Sequence, residues 1–281
     1  MPMQQPFRTV PTLKLVAVSC LALAWLLGTR ARGADVPARA NATPAAATVT
    51  VAAAADLKFA MDDMVAQFTK AHPTITVNVT YGSSGNFFSQ LSNSAPFDMF
   101  FSADADFPRQ LARQGLAIEG SEFLYAVGRI VIWVPRASSV DVQRLGMAAL
   151  RDAAVQHVAI ANPQHAPYGR AAVAAMKSLG VYEDVKQKLV FGENVAQTAQ
   201  FVQSGAAEVG VIALSLATAP AMQQDGKYWE VPLDAYPRVE QGGVIMKWAH
   251  DLTAARAFRD FVLSPPGRVT LKRYGFFFPR E

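Results

Sequence analysis

From Thr48 onward the chain repeats one pattern, a short apolar run followed by residues at helical spacing, and this repetition constrains the fold class most. TVTVAAAA (48–55) predicts a strand, after which Leu57, Met61, Met64, Val65 and Phe68 recur at helical spacing up to His72-Pro73. ITVNVTY (75–81) places Ile75, Val77, Val79 and Tyr81 on one face of a second strand. A Gly-Ser-Ser-Gly turn (82–85) leads into a short helix with Phe87, Phe88 and Leu91, and DMFFSAD (98–104) predicts a third, buried strand. A helix over 106–113 stops at Gly115. Strands alternating with helices in this way predict a parallel sheet covered on both faces.

The pattern then recurs. RIVIWVP (129–135), HVAIANP (157–163) and EVGVIAL (208–214) predict strands. AAVAAMKSL (171–179) and VAQTAQFVQS (195–204) predict helices ended by Gly180 and Gly205. After Pro237, RVEQGGVIMK leads to a closing helix, TAARAFRDFVL (253–263). Two α/β units with no long linker imply two lobes with a cleft between them. The expected lobes are 48–129 plus 237–281, and 130–236, with crossings near Gly128–Ile130 and Tyr236–Val239 that act as a hinge.

A chain of 281 residues suffices for two such lobes, and 51% hydrophobic against 17% charged residues excludes a disordered protein. The net charge of +4 first suggests nucleic acid or anionic lipid as a partner. That charge is carried by Arg8, Lys14, Arg30 and Arg32, in a segment (1–34) with no acid; without them the basic and acidic residues balance at 22 each. Basic residues, the apolar run LVAVSCLALAWLLG (15–28) and then small residues predict an export signal over 1–34. The run is short of the roughly 20 residues a membrane span needs; a retained anchor is the alternative. Ala31-Arg32-Gly33 and Ala38-Arg39-Ala40 both offer small residues for cleavage. Residues 35–47 predict a disordered Ala/Pro-rich lead-in. The one cysteine, Cys20, lies inside the apolar run, so the processed chain has no disulfide and no Cys ligand. His72, His157, His165 and His250 lack metal-ligand spacing, and no cofactor is expected.

In open α/β sheets, ligands bind outside the carboxyl ends of strands, where helix N-termini present unpaired N–H groups and partial positive charge. Four turns suit an anion: Ala55-Asp56, Ser83-Ser84-Gly85, Asn162 to Gly169, and Glu193-Asn194-Val195, two in each lobe and none with Lys or Arg. Each also reads as an ordinary helix cap or turn.

Residues 48–281 resemble the periplasmic molybdate/tungstate-binding proteins that serve ABC importers. The resemblance runs through TVTVAAAADLKFAMDDM, the GSSG turn, QLSNSAPFDMFFSAD, ANPQHAPYGRAA, the ENV segment, GAAEVGVIAL and KRYGFFFP. It implies a two-lobed type II periplasmic-binding-protein fold, each lobe a mainly parallel sheet flanked by helices, closing over a tetrahedral oxyanion. It also implies a periplasmic location, an ABC permease with its ATPase as partner, and a monomer. By position, the implied ligand contacts are Ala55 and Asp56, Ser83 and Ser84, Tyr168 and Val195, with molybdate itself at Ser84, Tyr168 and Val195.

Two departures stand out. Many members carry a Tyr where this chain has Ala213, and Tyr168 is the expected partial substitute. The other is Asp56, where the family often has Ser or Asn, because an ionised carboxylate only accepts hydrogen bonds. Three states remain open for it. It caps the helix and leaves its N–H to the anion; it accepts from a protonated ligand such as hydrogen phosphate; or it binds protonated or through a cation.

Other classes fit less well. GSSGN (82–86) is not the GxSxG of a serine hydrolase, and no His/Asp pair is placed to activate Ser84. GxGxxG and the P-loop are absent. The segment before Thr48 has no helix-turn-helix pattern, so neither nucleic-acid binding nor an enzyme is expected. FLY (123–125) and GFFF (275–278) read as core or lobe packing.

Overall fold

The computed structural model describes residues 46–278. The leader expected over 1–34, and the lead-in as far as Ala45, lie outside the described residues. Ala47, the last residue of the expected lead-in, already belongs to a strand, because its N–H donates to the Thr74 carbonyl (2.9 Å) and it registers with Ile75.

The first lobe begins with β1 (Ala47–Ala54), a 3-10 turn (Ala55–Leu57), α1 (Lys58–Ala71) and β2 (Ile75–Gly82). It continues with α2 (Ser84–Ser92), β3 (Met99–Ser102), α3 (Asp106–Arg113) and β4 (Phe123–Gly128). The second lobe comprises β5 (Ile130–Pro135), α4 (Val142–Leu145), β6 (Val158–Ala161), α5 (Pro167–Ser178) and α6 (Tyr182–Val185). It is completed by β7 (Leu189–Gly192), α7 (Val195–Gln203), β8 (Val209–Ala213), α8 (Leu214–Ala217), α9 (Pro220–Asp225) and β9 (Gly226–Glu230). The chain then returns through β10 (Val239–Ile245), α10 (Leu252–Leu263) and α11 (Pro265–Arg273).

The two sheets share one plan. Their orders are β2-β1-β3-β10-β4 and β7-β6-β8-β5-β9. In the first, β1 pairs parallel with β2 and β3, while β10 runs antiparallel to both β3 and β4. In the second, β6 pairs parallel with β7 and β8, and β5 runs antiparallel to β8 and β9. Each sheet therefore has a parallel half, as the strand-helix alternation predicts, and an antiparallel half. The antiparallel half comes from the strand that enters each sheet after a crossing, β10 in the first and β5 in the second, each pairing with strands distant in sequence; only Arg129 separates β4 from β5. A parallel pair needs a crossover of a dozen or more residues, so this junction sends the chain into a different sheet instead.

Side chains alternate across the first sheet as strand geometry requires. Val49, Val51, Ala53, Met99 and Phe101 join the main core, with Phe68 of α1 edge-on to Phe258 of α10 at 5.1 Å. Ala52, Phe100 and Val244 point the other way and pack with Phe87, Leu91 and Leu111 of α2 and α3. β5 and β6 are buried almost throughout, so they read as continuous apolar runs in the sequence.

Between the sheets the chain passes at Gly128–Ile130 and over residues 231–238. The guanidinium of Arg129 stacks 3.4 Å above the Phe277 ring and pairs with Glu230 at 3.2 Å. Phe277 itself exchanges backbone hydrogen bonds with Val127, at 2.7 and 3.0 Å. The C-terminal aromatic segment thus braces the first crossing.

Candidate functional site

The strands of both lobes end at a common cavity of about 10 Å³, and Ala55, Asp56, Ser83, Ser84, Tyr168 and Val195 all line it. By general scaling that is room for about one water-sized centre. A larger groove of about 470 Å³ adjoins it, sharing Ala103 and Pro167. That groove carries both signs of charge, with Arg170 paired to Asp104 at 2.5 Å and Arg109 to Asp106 at 2.9 Å.

Each wall of the small cavity is a helix start. Ser83 caps α2: its Oγ accepts the Asn86 N–H at 3.3 Å and contacts His165 Nδ1 at 2.8 Å. Its hydroxyl is therefore committed to the cap and to the opposite lobe. Ser84, next in the chain, is different. Its Oγ accepts the Ala103 N–H at 2.9 Å, which leaves its own O–H to donate. Asn194 caps α7, its Oδ1 accepting from Ala196 and Gln197 N–H at 2.9 and 3.0 Å. Val195, the first helical residue, keeps an N–H without an intrahelical acceptor.

The third wall departs from expectation. The helix expected over 171–179 begins at Pro167, because proline suits the first helical position and its missing N–H is no loss there. Tyr168 is consequently the second residue of α5, where its N–H has no intrahelical acceptor. Its hydroxyl, expected to substitute for the absent family tyrosine, is engaged elsewhere: it donates to Asp56 Oδ2 at 2.8 Å and accepts from Gln241 Nε2 at 3.0 Å.

Asp56 departs as well. It lies in the 3-10 turn before α1, 1% exposed, and its side chain caps no helix. Oδ2 accepts from Tyr168 and, at 2.6 Å, from Gln241, while Oδ1 has no hydrogen-bond partner among the described residues. Its backbone carbonyl accepts the Ser215 hydroxyl of α8 at 2.8 Å. Burial drives the carboxyl up to about 6, against the opposing pull of Gln241, Tyr168 and the nearby N–H groups of Asp56 and Leu57. Burial, followed by the Asp56 charge, raises the Tyr168 and Tyr125 phenols well above their ordinary value, so both remain donors.

Two residues of this site escape sequence reading. Gln241 sits fully buried in β10 at a register shift. The sequence offers little hint of this, since Gln241 follows the charged Glu240 and reads as one more exposed polar residue. His165 offers its carbonyl to the Gly85 N–H at 2.9 Å across the cleft. A Cβ on Gly85 would stand 2.5 Å from that oxygen, so the approach requires glycine. Asn86 to Glu193, at 2.9 Å, adds another bond between lobes. Among the described residues no cluster of His, Cys, Asp and Glu is arranged to hold a metal ion.

Two lobes joined by two crossings, closed over a cavity lined by helix starts and a donor hydroxyl, define a solute-binding protein of the kind that engulfs a small ligand. The chain belongs to the bacterial extracellular solute-binding protein family, whose model matches residues 49–277. It is 41% identical over 227 residues to the molybdate-binding protein ModA of Azotobacter vinelandii, covering 80% of this chain and 88% of that one. It is 38% identical over 201 residues to ModA of Rhodobacter capsulatus, covering 72% and 77%. The structure of the periplasmic molybdate-binding protein of A. vinelandii superposes with a TM-score of 0.75 at 31% identity, covering 82% of this chain and 99% of that one.

Proposed function

We propose that this protein captures a tetrahedral oxyanion, molybdate or tungstate, outside the cytoplasm and delivers it to an ABC importer. The observation that carries the reading is the donor set. The Ser84 hydroxyl and the N–H groups of Tyr168 and Val195, from both lobes, belong to residues that line one small cavity whose wall carries no Lys or Arg. Helix N-termini supply the positive potential without a titratable cation. Ala55 and Asp56 form the remaining wall. The identity to two ModA proteins supports the choice of molybdate.

In this reading lobes 48–129 plus 237–281, and 130–236, hinge about the two crossings, and residues 1–34 export a monomer to the periplasm. The partner is a permease with its ATPase, and the protein catalyses no reaction. Titration calorimetry with molybdate, tungstate, sulfate and phosphate tests it. Molybdate and tungstate are expected to bind and to raise the melting temperature with concentration, stabilising the fold by about 2.7 kcal/mol at a hundred times Kd. Binding of phosphate with indifference to molybdate and tungstate would instead favour a ligand that donates its own proton to Asp56 Oδ1.

A further inference from the structure

Asp56 poses a chemical problem that the donor set around it does not solve. A carboxylate on the cavity wall can only accept, and so can every oxygen of a fully deprotonated oxyanion. The geometry of its two oxygens is unequal. Oδ2 takes two donors, Tyr168 Oη at 2.8 Å and Gln241 Nε2 at 2.6 Å, as a carbonyl oxygen does. Oδ1, equally buried, takes none.

We propose that capture of the anion takes up one proton, held on Asp56 Oδ1, so that the residue meets the ligand as a neutral carboxylic acid donating a hydrogen bond. The proton comes from solvent and converts the carboxylate to the acid; no bond of the ligand changes. The neutral acid then matches its surroundings atom by atom, with a carbonyl oxygen accepting twice and a hydroxyl donating once. It also removes a negative charge from the side of the bound dianion.

Burial favours this state, while the hydrogen bonds from Gln241 and Tyr168 and the nearby N–H groups of Asp56 and Leu57 pull the other way without prevailing. The side chains packed against Asp56 are Tyr168 on α5, Gln241 on β10, Tyr125 on β4 and Ser215 on α8, all neutral. α2 and α7 turn Ser84 and Val195 to the same cavity, and α7 contains no titratable residue. The charged residues nearest in sequence on those elements have partners of their own: Arg170 pairs with Asp104, Arg238 with Glu240 and Lys58 with Asp62. Among the described residues no cation is bonded to the carboxylate to hold it ionised. A group already near 6 without ligand is ionised in most molecules above neutrality and takes up nearly one proton when a dianion arrives.

This inference rests on the oxyanion reading, and the test separates the two. Molybdate is titrated into the protein in buffers of unlike ionisation heat at several pH values between about 7 and about 8.5. Wild type is expected to absorb close to one proton per anion, with Kd weakening by about tenfold for each pH unit. Asp56→Asn, which presents a donor at every pH, is expected to bind with no proton uptake and a flat Kd. Infrared difference spectra give a second readout: a protonated-carboxyl band appears on adding molybdate to wild type and not to the variant. Tight, pH-independent binding by wild type with no proton uptake overturns the inference and leaves the oxyanion reading intact. Equal uptake by the variant also overturns it, since the proton then resides elsewhere. Failure of both proteins to bind any of the four oxyanions overturns both.

Discussion

Replacing Asp56 by Asn alters the stability of the ligand-free protein in a direction opposite to most buried-polar substitutions. The carboxyl titrates at about 6 in the fold against 3.8 as an ordinary aspartate, because burial penalises its charge more than Tyr168 and Gln241 support it. The folded state therefore holds the proton more tightly than the unfolded state. Stability is full below the unfolded value and falls as pH rises through the folded one. A difference of about two units amounts to about 3 kcal/mol lost above neutrality, at 1.36 kcal/mol per unit. Asparagine keeps an oxygen to accept from Tyr168 and Gln241 and carries no charge. Its amide has no acceptor where Oδ1 stands, which returns about 1 kcal/mol. The variant is expected to be more stable than wild type by about 2 kcal/mol at pH 8. For a chain of this size that raises the melting temperature by about 4–8 °C. The gap should close towards pH 4, where both side chains are neutral. Ligand-free thermal melts across that range measure it. A variant that is less stable than wild type at pH 8, or a gap that ignores pH, would refute the reasoning.

Three other substitutions probe the site and the scaffold. Ser84→Ala removes a hydroxyl that accepts from Ala103 and donates into the cavity, and is expected to weaken oxyanion binding about 10- to 150-fold by calorimetry. Gly85→Ala places a methyl group 2.5 Å from the His165 carbonyl, a clash that opening the lobes relieves. Affinity should fall at least tenfold while the ligand-free melting temperature stays within a few degrees. Asp98→Ala acts far from the cavity. Burial opposes its charge, but donors from Thr50 and His250 prevail and hold its carboxyl below the usual range. Its stabilisation is present above the unfolded value and lost as pH falls through the folded one, so the variant should melt lower than wild type at pH 7, by a margin that shrinks in acid.

The cavity was legible in the sequence because its parts are local. Strand ends followed by Ser83-Ser84 or Asn194-Val195 announce helix starts, and helix starts are where anions are commonly bound, whereas the helix that begins at Pro167 reads from the sequence as starting too late, at Ala171. What the side chains do there was less legible. Tyr168 and Asp56 find each other 112 positions apart, and Gln241 joins them from a further strand, so no local pattern points to the network. The antiparallel halves of the sheets were equally hidden. FLYAVG reads as packing residues because its strand runs into the next with only Arg129 between.

The position of β10 has a consequence for how the protein is made. It fills the gap between β3 and β4, yet its residues follow the whole second lobe in the chain. Until Val239–Ile245 have been synthesised, the first sheet is split into a three-stranded piece and a lone strand, with unpaired edges on both. The second sheet, drawn entirely from Ile130 to Glu230, is free to close earlier. Long-range pairing of this kind slows folding. The first lobe can therefore complete its sheet only when nearly the full length of the chain exists, after every strand of the second lobe has been made.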